Sequence, residues 1–279
     1  MLEKSVQDRL IHKGRDFMKG YRQDDEILKG FESDQNLKLP QPPLVKAPIK
    51  PESEWIRLSH NFDLLQIENN LQKVFRDRRS ARIYTQEPMS QLELSFLLWA
   101  TQGIKSIRGK SYATLRTVPC GGARHQYETY LLIRNVDGLA PGAYHYLPME
   151  HALEFLHPVE RMEETITDSV SGQNWAAKAN VVFYWSLDAY RVEWRYGVFA
   201  HRTALIDLGH IGQNLYLAAT GIGLGCCAIA AFQHEVCNRI FDLDGEGEFV
   251  VYTIPVGTIR DSDKLEEHAF YKFVEEDGL

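Results

Sequence analysis

Arg78-Arg79-Ser80-Ala81-Arg82-Ile83-Tyr84 sets three guanidinium groups and one hydroxyl within five residues. Arginine forks grip phosphate oxygens in pairs and stay charged at any physiological pH, while serine and exposed backbone N–H groups can complete an anion nest. The same composition suits a solvated basic patch, and the segment taken alone leaves both readings open. Upstream, Leu64, Leu65, Ile67, Leu71, Val74 and Phe75 recur at helical spacing, so the basic cluster is expected at the end of a helix.

Working outward, Ser90 precedes Glu93 by three residues, the capping-box spacing, ahead of the apolar run Leu94 to Trp99, and Gly103 is placed to stop that helix. Thr129 to Arg134, Asn180 to Leu187 and Glu248 to Ile254 read as strands, and Gly142 to Leu147 with Ala152 to Leu156 as a hairpin. A long helix is expected from Arg202 to Ala219, capped by Gly221. Its small residues Ala204, Gly209, Gly212 and Ala218 point to close approach by another element, such as the equivalent helix of a partner subunit. Towards the N-terminus, Ser5 to about Lys29 suits a helix and Gln41 to Pro51 is proline-punctuated. Residues 1–55 are therefore read as an arm that packs along another surface, and 56–279 as the body.

The bulk composition narrows the function classes. The 279 residues are 44% hydrophobic and 25% charged, an ordinary globular balance, and 31 Lys+Arg against 38 Asp+Glu leave a net charge of -7. A protein-wide drive towards nucleic acid or anionic membrane is therefore not expected. No run of about 18 apolar residues is present to span a bilayer, and Met1-Leu2-Glu3-Lys4-Ser5-Val6 lacks an apolar signal core, so a cytoplasmic location is the expectation. Cys120, Cys226, Cys227 and Cys237 are too sparse for a disulfide framework, and the adjacent pair lies in a Gly- and Ala-rich run where cysteine serves as a small buried hydrophobe. His201 and His210 lie nine residues apart, without the spacing of three or four that metal ligation on a helix needs, so no metal is expected.

Two glycine-bearing segments remain. Pro119-Cys120-Gly121-Gly122-Ala123-Arg124-His125 is a loop whose glycines permit close backbone approach to a flat ligand, or simply a turn before the Thr129 strand. Gly221-Ile222-Gly223-Leu224-Gly225 has the look of a dinucleotide-binding glycine pattern but follows a helix, with no ribose-binding acid placed as such a unit requires.

Taken in order, these segments resemble the nitroreductase superfamily, and within it the SagB-type dehydrogenases, which include azoline oxidases of peptide-modifying systems. The resemblance covers most of Ile56 to Gly257. It rests on the basic segment, on Leu97-Leu98-Trp99-Ala100-Thr101-Gln102-Gly103, on the Pro119 loop, on Gly138-Leu139-Ala140-Pro141-Gly142-Ala143-Tyr144-His145-Tyr146, and on Gly209-His210-Ile211-Gly212-Gln213-Asn214-Leu215-Tyr216-Leu217-Ala218-Ala219.

The resemblance implies an α+β fold of the nitroreductase type, a central, mostly antiparallel sheet flanked by helices, in an interlocked homodimer that holds FMN between its subunits. It implies that Arg78, Ser80 and Arg82 hold the FMN phosphate and ribityl chain, that Arg79 adds backbone or charge, and that Arg260 closes the phosphate site. Pro119, Cys120 and Gly121 would come from the other subunit to meet the isoalloxazine, and Ala230 and Ala231 would offer N–H groups near N5 and O4. The activity implied is hydride transfer from NAD(P)H through flavin to a small oxidised acceptor, a nitroaromatic, a quinone or similar, with ping-pong kinetics. The alternatives are an azoline or related dehydrogenase acting on a modified peptide and, from another class, a flavin-binding subunit without turnover. Two departures bear on the choice. Cys120 stands where the family commonly has serine. Arg195-Tyr196 stands where azoline oxidases carry a Lys-Tyr pair, and arginine is a poor general base, which counts against peptide azoline oxidation and leaves Tyr196 as the candidate proton donor or substrate-orienting group.

Overall fold

The computed structural model describes residues 4–20 and 26–260, together with Lys272 and Glu276. After helix α1 (Lys4–Lys19) come strand β1 (Ile56–Arg57), helices α2 (Leu71–Asp77) and α3 (Gln91–Gln102), and strands β2 (Ile104–Arg108) and β3 (Ala113–Arg116). Strands β4 (Tyr127–Ile133), β5 (Gly142–Leu147) and β6 (Ala152–His157) lead to helix α4 (Met162–Ser169), then to strand β7 (Val181–Asp188) and helices α5 (Ala189–Tyr196) and α6 (Ala200–Gly221). Strand β8 (Leu224–Cys226), helix α7 (His234–Ile240) and strand β9 (Glu248–Thr258) complete the order.

Seven strands form one sheet in the order β1-β6-β5-β4-β7-β9-β8, every neighbouring pair antiparallel. Alternation along β4 and β7 builds two cores, because successive side chains leave opposite faces. Leu131, Ile133, Phe183 and Trp185 meet Leu94 and Leu98 of α3 and Leu208 and Leu215 of α6 on one face. Tyr130, Leu132, Val182 and Tyr184 meet Ile166 of α4 and Cys237 of α7 on the other. The fold class is the α+β architecture expected.

Several local expectations hold. The capping box at the start of α3 is present, with Glu93 N–H donating to Ser90 Oγ at 3.2 Å and Ser90 N–H to Glu93 Oε2 at 2.7 Å. Two others fail for identifiable reasons. The helical spacing from Leu64 yields a helix only from Leu71: Asn70 caps it by accepting from Lys73 N–H at 3.1 Å, and of the expected apolar stripe Val74 is buried, Leu65 and Ile67 are half-buried, and Leu64, Leu71 and Phe75 are exposed. At the end of α6 it is Gly223, at φ +78°, and not Gly221, that takes the left-handed turn. A two-stranded hairpin, β2-β3, lies outside the strands expected from the sequence.

The proline-punctuated stretch lies on its own chain. Gln35 N–H donates to Trp194 O at 2.8 Å, Lys46 N–H to Glu128 at 2.9 Å, and Ile49 and Lys50 N–H groups both to Glu154 Oε2 at 2.8 Å. The carboxylate acceptors Glu128 and Glu154 belong to a buried charged row, where His145 Nδ1 meets Glu154 at 2.7 Å and Arg191 Nη1, from α5, meets Glu128 at 2.7 Å.

Candidate functional site

The basic segment leaves α2 in extended form and joins the sheet edge through a parallel bridge between Ser80 and Cys226, with Ala81 N–H donating to Cys226 O at 2.9 Å. Ser80 Oγ stands 3.1 Å from Tyr216 Oη, which also accepts the Ala228 N–H at 2.8 Å, and the Arg78 guanidinium lies 5.3 Å from the centre of the same ring. Helix α6 thus contributes the tyrosine around which Arg78, Ser80 and Ala228 gather. Sequence reasoning gave Tyr216 no role; its only signal was its place in the Gly209 to Ala219 block.

The other expected phosphate residues diverge from that point. Arg79 lines a cavity of about 280 Å³ with Lys73, Gly225 and Ile259, and Arg260 follows directly as an exposed side chain. Arg82 sits over the Trp175 indole at 5.7 Å. Beyond Ile229, whose N–H bonds Thr253 O at 2.9 Å, the chain leaves the sheet and Ala230 and Ala231 are exposed.

The Pro119 loop is a second cluster. Asp207 of α6, 5% exposed, accepts the Gly121 N–H on both carboxylate oxygens at 3.0 Å, and its Oδ2 also meets Gln126 Nε2 at 3.1 Å and Cys120 Sγ at 3.2 Å. The Cys120 side chain is thereby turned towards Asp207, and burial with the neighbouring Asp207 charge pushes its thiol up to about 12. A nucleophilic thiolate needs the opposite environment, so Cys120 is a structural thiol here. Gly122, Ala123 and His125 all have positive φ, a concentration of strained backbone of the kind that gathers at functional sites. A β-carbon on Gly122 would overlap Arg195 Nε and lie 2.9 Å from Tyr196 Oη, so Arg195 and Tyr196 pack directly on the loop. Arg195 Nη1 reaches Tyr112 Oη at 2.8 Å and Gln35 Oε1 at 3.0 Å. Burial and the nearby Arg116 depress His125 to about 2, which keeps its ring neutral.

The two clusters lie at different points along α6. Asp207 and Tyr216 are nine residues apart, about 14 Å of helix rise. The fold therefore brings Arg78 and Ser80 together, and Pro119 to Gly121 with Tyr196, but it does not join these groups within one chain. Among the described residues no group of three His, Cys, Asp or Glu could hold a metal ion, and no helix is long and apolar enough to cross a membrane.

The sequence profile of the nitroreductase family matches residues 75–258, from the end of α2 to the end of β9. The chain belongs to the nitroreductase family. It is 32% identical over 190 residues to a nitroreductase-type protein of Methanocaldococcus jannaschii, covering 68% of this chain and 91% of that one. It is also 27% identical over 161 residues to the trifolitoxin-processing protein TfxB of Rhizobium leguminosarum bv. trifolii, covering 55% of this chain and 43% of that relative. Among solved structures, a nitroreductase-type protein from Ralstonia eutropha JMP134 superposes with a TM-score of 0.61 at 21% identity, covering 80% of this chain and all of that one, which is a likeness of fold.

Proposed function

We propose that this nitroreductase-family oxidoreductase binds FMN between two subunits and passes hydride equivalents from NAD(P)H to a small oxidised acceptor. The observation that carries the reading is the convergence of Arg78 and Ser80 on Tyr216 beside the 226–231 segment. The donor set at Tyr216 fits a flavin mononucleotide: Arg78 and Ser80 supply a cationic and a hydroxyl donor to a phosphate, Arg79, Arg82 and Arg260, which lie apart from that point, add positive charge around it, and the exposed Ala230 and Ala231 offer backbone donors to a ring edge. Such a flavin, when bound, supplies two-electron chemistry, and the protein's part is to hold and orient.

Dimerisation is part of this proposal. The outward face of α6 carries exposed Leu205 and Ile206, and the space beside Gly209 is open. An apolar, small-residue face suits the same helix of a second copy, which would set the Pro119–Gly121 loop of one subunit against the basic segment of the other. Tyr196, held against that loop, is then the side chain placed to orient substrate or donate a proton. The domain proposal keeps residues 1–55 as an arm and 56–279 as the body.

A second reading, dehydrogenation of an azoline-modified peptide, draws on the trifolitoxin-processing relative and on the packing of Arg195 and Tyr196 against Gly122. The test of both starts with protein purified without added cofactor. Release of FMN on denaturation, and anaerobic bleaching of the visible flavin bands by NADH or NADPH, support the reductase; a loaded protein inert to both nicotinamides favours peptide dehydrogenation or a non-catalytic flavin subunit; a protein that cannot take up FMN overturns the proposal. Arg78→Gln and Ser80→Ala are each expected to weaken FMN binding by about tenfold, the loss of one charge-assisted or neutral hydrogen bond.

A further inference from the structure

Between Glu93 and Glu128 the chain carries no acidic residue, yet it holds Lys105, Arg108, Lys110, Arg116 and Arg124, in a protein of net charge -7. The hairpin β2-β3 presents Lys105, Arg108 and Lys110 as exposed side chains, and among the described residues no carboxylate pairs with any of them. Arg116, on the same hairpin, is only 4% exposed. Its guanidinium hydrogen-bonds only neutral groups among the described residues: Gln102 Oε1 at 2.8 Å, Thr114 Oγ1 at 3.2 Å and Leu44 O at 3.4 Å. The buried Glu128 carboxylate, itself bonded to Arg191 at 2.7 Å, offsets part of the desolvation of Arg116 through space, but no carboxylate among the described residues is hydrogen-bonded to this buried cation. Burial pulls Arg116 down to about 10, which still leaves it charged at neutral pH.

Lys105 and Arg116 line one cleft of about 510 Å³ that runs to Pro119 and Cys120. Its walls also include Leu115 and Val118, so a cationic lining borders an apolar floor. From these features we infer that the cleft selects substrates bearing a carboxylate, with Lys105 and Arg116 as specificity-determining residues and the hairpin cations as an electrostatic rim. The inference rests on the proposed placing of the Pro119 loop at the flavin. Lysines on an open strand edge also discourage strand pairing between molecules, and that purely structural role predicts no discrimination among ligands.

The probes are 4-nitrobenzoate and 4-nitrobenzamide, alike in shape and differing in charge, each measured by equilibrium binding to the FMN-loaded protein and as an electron acceptor. The expected result is a preference for the benzoate of about tenfold at low salt, shrinking as ionic strength rises. The triple variant Lys105→Gln, Arg108→Gln, Lys110→Gln loses most of the preference while its affinity for the amide is unchanged, and Arg116→Lys, which keeps the charge, retains more of it than Arg116→Gln. Equal affinity for the two probes in the parent protein, or a preference that survives the triple variant, overturns the inference. Benzoate preference in binding without turnover of either probe leaves the carboxylate site standing and removes the small-acceptor reductase; turnover of both without preference does the reverse. Displacement of the benzoate by a short Glu-containing peptide and not by its Gln counterpart assigns the carboxylate to a peptide; displacement by small carboxylic acids alone assigns it to a small molecule.

Discussion

Replacing Asp207 by Asn tests the reasoning about the Pro119 loop most directly. The carboxylate is 5% exposed and gathers Gly121 N–H at 3.0 Å, Gln126 Nε2 at 3.1 Å and Cys120 Sγ at 3.2 Å. An amide keeps one acceptor oxygen, turns the other atom into a donor facing a donor, and removes the charge. Hydrogen bonds to a charged group contribute about 1.5–3 kcal/mol each and neutral ones about 1, so the weakening of this set should destabilise the loop by about 2–4 kcal/mol. The same substitution removes the second cause, after burial, that holds the Cys120 thiol near 12. Each unit by which that thiol falls raises the thiolate fraction, and hence alkylation at fixed pH, by about tenfold. Iodoacetamide labelling between pH 7 and 10, read peptide by peptide by mass spectrometry, measures this, with Cys237 as an internal control because burial also raises its thiol to about 12. Asp207→Asn should accelerate labelling at Cys120 by at least about tenfold and leave Cys237 unchanged. An unaltered Cys120 rate, or a parent protein whose Cys120 reacts at pH 8.5 like a free thiol, would refute the account.

Gly122→Ala places a methyl 2.5 Å from Arg195 Cδ at φ +56°; it should destabilise by about 2 kcal/mol and reduce turnover, while the FMN affinity of the basic segment is retained, as read by fluorescence titration. His151, bonded to Tyr146 Oη at 2.7 Å and Ser95 Oγ at 2.8 Å, is held down at about 4 by burial and then by His60. Its folded value lies below the unfolded one of about 6.5, so its stabilising share is present above pH 6.5 and is lost as pH falls towards 4, up to about 3 kcal/mol. Urea midpoints at pH 7 and pH 5 should therefore differ less in His151→Asn than in the parent. Arg191→Met leaves Glu128, 1% exposed, without its guanidinium and should destabilise by about 3–5 kcal/mol in urea unfolding, with partial recovery when Glu128→Gln is added.

What could be read along the chain was whatever neighbouring residues decide among themselves. The Ser90–Glu93 cap, the alternation that makes β5 and β6 a hairpin and the small-residue stripe of α6 depend on contacts a few residues apart, and each is visible as spacing. The five motif blocks carried the family in the same way, as ordered local strings. Spacing misled where two local signals competed, at Leu64 to Asn70, because the Asn70 cap outbid apolar periodicity on a surface that buries none of those leucines. The site itself is made of distant pairs. Ser80 meets Tyr216 across 136 positions, Cys120 meets Asp207 across 87, and Lys46 finds Glu128 across 82. No local pattern encodes such pairs, since their partners are chosen by how the sheet and α6 pack, and the penalty for leaving a buried carboxylate or guanidinium unpaired is levied only once the core has closed around it.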